Sequence, residues 1–300
     1  MRQPIVLAAL ALSSTLVACG ADNGTPELDD TAVGDTKGAF STAPGEPNHE
    51  AITKDALSFL RPDLLLTVIA GNVSTDVEFF LVNANHFDDC NFTGGSQVVA
   101  DQQAAAVSDL DPADPTPEAD VRAAVAFGHS IHSVQDFYAH TNWVELGGET
   151  LVDESLTPFP ALTPYSEVPS SGFTVIQGPK PKNTAITRRT DAAYPEYAVV
   201  TYKAKIGRTP GLVSGTVDYE PGDFCPPQAS MTHDALNKDK STLPGRAEQF
   251  ASAKALATLQ TRHEWCRFEA LTRAAWGDGG ASRLAAWIAP DATPPDCSPE

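Results

Sequence analysis

The sequence predicts a mainly α protein that carries one irregular, β-containing insertion. Apolar side chains recur at helical spacing over much of residues 49–146 and again after Pro244. Between these stretches, residues 147–230 hold eleven of the 24 prolines, together with short runs of β-branched and aromatic residues. Because proline interrupts helices and β-branched residues favour strands, this stretch does not fit a helical core. We therefore expect one compact multi-helix domain over residues 47–289, followed by a C-terminal tail at 290–300.

Two short helices are predicted at the start of this domain. Asn48 can cap the first, which covers residues 49–60 and is followed by Pro62. The second covers residues 64–70 and is expected to end at Gly71, because glycine is common just beyond helix ends.

Longer helices are predicted on either side of the insertion. Residues 76–85 fit neither a helix nor a strand clearly, whereas residues 96–110 have a helical pattern. After a proline-rich loop, a helix over residues 117–141 begins with proline and acidic residues, as helix starts commonly do. Beyond the insertion, the helical pattern covers residues 245–275.

The composition is that of an acidic globular protein. Hydrophobic residues make up 42% of the 300-residue chain, and the formal net charge is −19 at pH 7. Proteins that grip nucleic acid through its phosphates need a basic face. We therefore expect no nucleic-acid partner.

The N-terminus has the pattern of an exported lipoprotein. Residues 1–18 combine an early arginine, an apolar run and small residues, as a signal peptide does. The segment Leu-Val-Ala-Cys-Gly at 16–20 resembles a bacterial lipobox, which implies cleavage before Cys19 and lipidation of that residue. Residues 19–46 would then be a flexible tether. The expected location is the bacterial cell envelope, with the chain anchored by lipid to the outer membrane.

The remaining cysteines are disulfide candidates. An even number of cysteines in an exported chain indicates up to two disulfides. The sequence leaves all three pairings open among Cys90, Cys225, Cys266 and Cys297.

The most informative motif is a ladder of polar side chains in the 117–141 helix. His132, Asp136 and His140 are spaced four residues apart, which keeps them within roughly an 80° arc of a helix. The two histidines are separated by about 12 Å along the axis, too far to share one tetrahedral ion. The pattern therefore indicates two or more metal ions with Asp136 between them. His129 lies near the same stripe, either as a ligand or as a residue that orients one.

The motif order resembles that of the zinc-dependent phospholipase C family. His86-Phe87-Asp88 resembles the HFxD segment of that family, and His132-Ser-Val-Gln-Asp136 resembles its HYLGD-type segment. A closer likeness is to the fungal heterokaryon-incompatibility protein C group, whose helix reads approximately LHxxEDFxAHSNxVEL, as residues 132–146 do. Residues 232–239 resemble a THxxLNKD block of the same group.

This resemblance covers roughly residues 48–146 and 230–265 and implies a zinc phospholipase C-like fold. It implies a site for two or three Zn²⁺ ions, with Asp76 and Asp136 as the candidate catalytic residues. The implied metal ligands are His49, Asp76, His86, His132, Asp136, His140, Glu145 and His233. For the ion at His140, the accompanying carboxylate is left open between Glu145 and Asp239.

The expected function is hydrolysis of a phosphodiester, phospholipid or related, at a membrane surface, as in phospholipase C. One alternative is a non-catalytic surface lipoprotein that retains the metal-binding fold. Another is a single-strand nuclease, which the acidic composition disfavours.

Overall fold

The chain is mainly helical in its computed structural model, as predicted for a mainly α protein. Its α-helices, within the part of the chain that the structure describes, are α1 (His49–Ala56), α2 (Pro62–Glu78), α3 (Phe92–Asp109), α4 (Pro117–His140), α5 (His233–Leu236) and α6 (Ala247–Ala285). The described residues are 49–144, 173–177, 186–190, 198–202, 212, 214–217, 231–238 and 247–297.

Helix α4 lies at the centre of the described residues. Its N-terminus is capped by the Thr116 hydroxyl, which accepts a hydrogen bond from the Ala119 amide at 3.3 Å. Every residue from Ala126 to His140 is buried, including the polar ones. Because buried polar groups must be paired, the polar side chains of α4 require partners from the surrounding helices.

Two apolar clusters flank α4. The first joins α4 to α1, α3 and the start of α6, and its large side chains include Ile52, Phe92, Val99, Phe137, Trp143, Phe250 and Leu256. The second joins α4 to α2 and the later part of α6 through Leu64, Phe127, Ile131, Trp265, Phe268 and Trp287.

Helices α2 and α4 touch backbone to backbone at two glycines. A Cβ atom at Gly128 would lie 2.4 Å from the Val68 carbonyl oxygen, and one at Gly71 would lie 2.5 Å from the Val125 carbonyl oxygen. The prediction that α2 ends at Gly71 was therefore wrong. Glycine serves close packing at this position, and the helix continues to Glu78.

Other helix ends also differ from the prediction. Helix α3 begins earlier, at Phe92, because the Asn91 side chain accepts a hydrogen bond from the Gly94 amide at 3.1 Å. The ambiguous region 76–85 contains the end of α2 and most of a 3-10 turn, Asn83–His86, and a second 3-10 turn, Asp88–Cys90, follows it. Helix α6 ends ten residues later than expected, at Ala285, and has a break at Gly277, whose φ is +58°.

Strands occur in the predicted insertion and just after it. Strands β1 (Phe173–Gln177), β2 (Ile186–Thr190) and β3 (Ala198–Tyr202) form an antiparallel sheet in the order β1-β3-β2. Strand β4 (Gly215–Thr216) pairs in parallel with β5 (Met231–Thr232). The β4–β5 pair leads directly into α5.

A disulfide joins Cys266 to Cys297, across 31 residues, and attaches the C-terminal tail to α6. Cys90 is also disulfide-bonded. The remaining candidate, Cys225, lies outside the described residues.

The signal peptide at 1–18, the lipidation site at Cys19 and the tether at 19–46 lie outside the described residues and stay predictions. Among the described helices, none is both long enough and apolar enough to cross a membrane.

The close contact between α2 and α4 at Gly128 can be tested with Gly128→Ala. Alanine is a better helix former than glycine by about 1 kcal/mol, so the change would stabilise an open helix. Here the added methyl group meets the backbone of α2, and we expect a net loss of about 1–3 kcal/mol in the free energy of unfolding, measured in urea. Ala104→Gly, at an exposed position of α3, gives the effect of helix propensity alone. A Gly128→Ala variant that is more stable than the wild type would contradict the close contact between α2 and α4.

Candidate metal centre

Five predicted ligands come together around Asp136. His49 is the first residue of α1, Asp76 lies near the end of α2, and His86 ends the first 3-10 turn. His132 and Asp136 are one turn apart on α4 and both are fully buried. We call this set, made of His49, Asp76, His86, His132 and Asp136, the first group.

The Asp136 carboxylate is surrounded by imidazoles. Its Oδ2 lies 2.8 Å from Nδ1 of His86 and 3.0 Å from Nε2 of His132, and its Oδ1 lies 3.1 Å from Nε2 of His49. The rings of His49 and His132 stack with their centroids 4.1 Å apart. Three imidazoles thus face one carboxylate in a space closed to water.

Asp76 completes the first group. Its Oδ1 lies 3.6 Å from Nε2 of His132. The donor atoms of His49, Asp76 and His132 lie within 4.8 Å of one another, as do those of His86, His132 and Asp136. This spacing suits ligands that converge on a cation.

A second group forms at the C-terminal end of α4 from Asp88, His140 and His233. Oδ1 of Asp88 lies 3.1 Å from Nδ1 of His233 and 3.4 Å from Nδ1 of His140. The two imidazole rings meet edge to face, 4.2 Å apart. All three side chains are buried, and their donor atoms also lie within 4.8 Å of one another.

The loop that supplies Asp88 has an unusual backbone. Phe87, Asp89 and Cys90 all have positive φ, between 53° and 58°. Residues other than glycine adopt this region at a cost, so the surrounding structure must hold them there. The Cys90 amide donates to the Ser214 hydroxyl at 2.7 Å, and the Val217 amide donates to the Asp89 carboxylate at 2.8 Å.

His233 is placed by contacts with β4 and α4. Strand β4 packs against it so closely that a Cβ atom at Gly215 would lie 2.4 Å from the His233 Cα atom. The buried ammonium group of Lys238 donates to the carbonyls of Thr141 and Leu236, each at 2.7 Å. Lys238 thereby attaches the end of α5 to the end of α4.

Burial and mutual contact set the charges of the cluster. Burial raises the pKa of Asp136, but the imidazoles of His132, His140 and His49 outweigh it and hold that pKa well below its usual value. Likewise, His233 and His140 outweigh burial and lower the pKa of Asp88. For His49, Asp136 outweighs burial and raises the pKa to about 9, whereas burial lowers the pKa of His132. Without metal, the first group therefore carries an imidazolium beside its carboxylate.

Seven of the eight predicted metal ligands lie in these two groups: His49, Asp76, His86, His132, Asp136, His140 and His233. The eighth, Glu145, lies outside the described residues, as does Asp239. Asp88 was not among the predicted metal ligands, although its place two residues after His86 could have suggested that role. His129 joins neither group among the described residues, and its Nδ1 instead lies 2.8 Å from the Thr75 hydroxyl.

One protein-family model matches the chain. It describes the VWA7 N-terminal domain and matches residues 52–167, which include Asp76, His86, Asp88 and the α4 ladder. The matched segment is less than half of the chain and contains neither His49 nor His233. No curated protein and no solved structure is significantly similar to the chain.

The charges predict how stability depends on pH when no metal is bound. Because the pKa of His49 is raised above 6.5, its contribution, on the order of 3 kcal/mol, is present below pH 6.5 and lost as pH rises through about 9. The lowered pKa values of Asp136 and Asp88 mean that their contributions are lost only in acid, below pH 4. Thermal unfolding of chelator-treated protein should therefore show lower stability at pH 10 than at pH 6. His49→Gln should flatten this alkaline decrease, and an unchanged decrease would show that the assignment to His49 is wrong.

Proposed function

We propose that the protein is a metal-dependent phosphodiester hydrolase, similar to phospholipase C, that binds two Zn²⁺ ions. The observation that carries the proposal is the pair of adjoining buried groups, one at each end of the His132–Asp136–His140 ladder. Imidazole and carboxylate are ligands that zinc accepts in catalytic sites. The sequence resemblance to zinc-dependent phospholipases C supports the same assignment.

The side chains fit cations on two grounds. Oδ2 of Asp76 is buried and accepts no hydrogen bond from the described part of the chain. Buried carboxylate oxygens without hydrogen bonds are costly, and a bound cation removes that cost. In addition, Asp136 lies within 3.1 Å of three imidazoles, an arrangement in which a cation replaces the proton on His49.

Two zinc ions in these groups would acidify a water molecule and offset the negative charge that develops on the oxygens of the phosphorus atom. The protein residues then have separate tasks. Asp136 and the histidines hold the ligand geometry. Asp76 is the one partly exposed donor, with 11% of its side chain accessible, and its carboxylate can accept a proton from an attacking water.

The surface beside Asp76 supports a lipid-bearing substrate. Between Asp76 and His86, the exposed side chains include Val77, Leu81 and Val82, with exposed fractions of 81%, 55% and 37%. An apolar edge of this kind can contact acyl chains. The net charge of −19 favours such a substrate over a polyanionic nucleic acid strand.

A second candidate function is metal binding without catalysis. Apart from Asp76, every donor in the two groups is buried. Sites closed to solvent are typical of structural metals, whereas catalytic sites keep an open position. A surface lipoprotein that retains the metal fold for recognition would have this property.

Metal content and turnover together test the proposal. Protein purified in detergent should contain about two zinc ions by elemental analysis and should hydrolyse phosphatidylcholine and a chromogenic phosphocholine ester. Asp136→Asn should lose the first ion and reduce turnover by at least about 100-fold, because Asp136 contacts three ligands. His233→Gln should lose the second ion alone, since His233 contacts Asp88 and His140 of the second group and, among the described residues, no member of the first group.

His129→Gln is the matched control, because it removes a buried histidine of the same helix that belongs to neither group. Full activity in a metal-free protein, or in Asp136→Asn, would refute the hydrolase assignment. Two bound ions without turnover on any phosphodiester would favour the non-catalytic candidate, and cleavage of single-stranded DNA or RNA alone would favour a nuclease.

A further inference from the structure

Behind the first group lies a layer of buried polar side chains that are not metal ligands. Thr53, Asn72, Gln135 and Thr261 come from α1, α2, α4 and α6, and each is fully buried. They hydrogen-bond to one another and to the ring nitrogens of His49 and His132 that face away from Asp136.

The direction of these hydrogen bonds is set by Thr261. Its hydroxyl donates to the carbonyl of Ala257 at 2.8 Å, which uses its only proton. The hydroxyl oxygen must therefore accept from Nε2 of Gln135, 3.0 Å away. The amide of Gln135 is thereby fixed with its nitrogen toward Thr261 and its oxygen toward His49.

The oxygen of Gln135 then places a proton on His49. Oε1 of Gln135 can only accept, and it lies 2.7 Å from Nδ1 of His49. His49 therefore donates from Nδ1, and Nε2 is the nitrogen left to bind a metal ion once the proton shared with Asp136 is displaced. That nitrogen is the one 3.1 Å from the Asp136 carboxylate.

Asn72 places a proton on Nδ1 of His132 in the same way. Its Nδ2 donates to Oε1 of Gln135 at 3.2 Å and to the Thr53 hydroxyl at 3.0 Å, which uses both of its protons. Its Oδ1 is left to accept from Nδ1 of His132 at 3.3 Å. Nε2 of His132 therefore also points its lone pair into the first group.

We propose that Thr261, acting through Gln135 and Asn72, is a positioning residue that fixes the tautomers of His49 and His132 so that both offer Nε2 to a metal ion. The proposal rests on the metal binding proposed above. Within the described part of the chain, Thr261 itself contacts no ligand of the first group, since its hydrogen bonds run to Ala257 and Gln135. Thr261 thereby disfavours the tautomer that carries its proton on Nε2, because that nitrogen could not then bind a metal ion.

The test compares three variants of α6. Thr261→Val keeps the shape of the side chain and removes the hydroxyl, whereas Thr261→Ser keeps the hydroxyl. Thr258→Val is the matched control, because Thr258 donates to the carbonyl four residues earlier in the same way, at 2.9 Å, and lies one turn away. Long-range ¹H–¹⁵N spectra of the full chain without metal, recorded at pH 10, above the pKa of both His49 and His132, report the tautomers of these two histidines.

The wild type, Thr261→Ser and Thr258→Val should show the Nδ1–H tautomer at His49 and His132. Thr261→Val should show mixed tautomers, and its zinc affinity, measured by competition with a chelating dye, should be lower by roughly 10- to 100-fold. If Thr261→Val does not fold, Gln135→Met, which removes the amide itself, should give the same two effects.

The two proposals can fail separately. Unchanged tautomers and unchanged zinc affinity in Thr261→Val would overturn the positioning role and leave the metal site intact. A wild-type protein that binds no zinc would overturn the proposed function, while the tautomer spectra would still decide the role of Thr261.

Discussion

The structure depends on a carboxylate buried at the centre of its most buried helix. Asp136 is fully inaccessible, and an unpaired charge in that position would cost several kcal/mol. The surrounding elements each contribute to its neutralisation: α1 brings His49, the first 3-10 turn brings His86, and α4 itself brings His132. Close contact of α2 with α4 at two glycines is part of the same arrangement, since it brings Asn72 and Asp76 within reach of His132. The neutralisation of Asp136 and the close packing of α2 against α4 therefore depend on each other.

The second group is built by contacts between residues far apart in sequence. Its histidine from α4 is held by the helix, but Asp88 and His233 depend on the region around β4. Hydrogen bonds from this region hold a loop with three left-handed residues, and Lys238 attaches α5 to α4. The first group, by contrast, is supported by helices and by buried amides. The two groups thus differ in what holds them: helices and buried amides hold the first, whereas contacts with the region around β4 hold the second.

The sequence predicted the parts of this arrangement that periodicity controls. The ladder of His132, Asp136 and His140 follows from helical geometry, and the start of α4 follows from its proline and acidic first turn. Gly71 was misread because the same residue suits a helix end and a close helix crossing, and only the neighbouring helix decides between them. The helical spacing gave no indication of Asp88, because the direction of its side chain depends on the left-handed backbone of the neighbouring residues. The orienting role of Gln135 depends on the packing of α1, α2, α4 and α6 against one another. A residue pattern within one helix cannot predict this packing.

The left-handed backbone explains how one short loop serves both groups. In an extended chain, side chains two residues apart point to the same side, so His86 and Asp88 would be expected to share one cation. Phe87 lies between them with φ of 53° and turns the chain, which directs His86 to Asp136 and Asp88 to His140 and His233. The His86 carbonyl also lies 3.2 Å from Nδ1 of His140, so the loop touches both ends of the ladder. The spacing of eight residues along α4 separates the groups, and the strained loop joins them, which is why neither element alone defines the site.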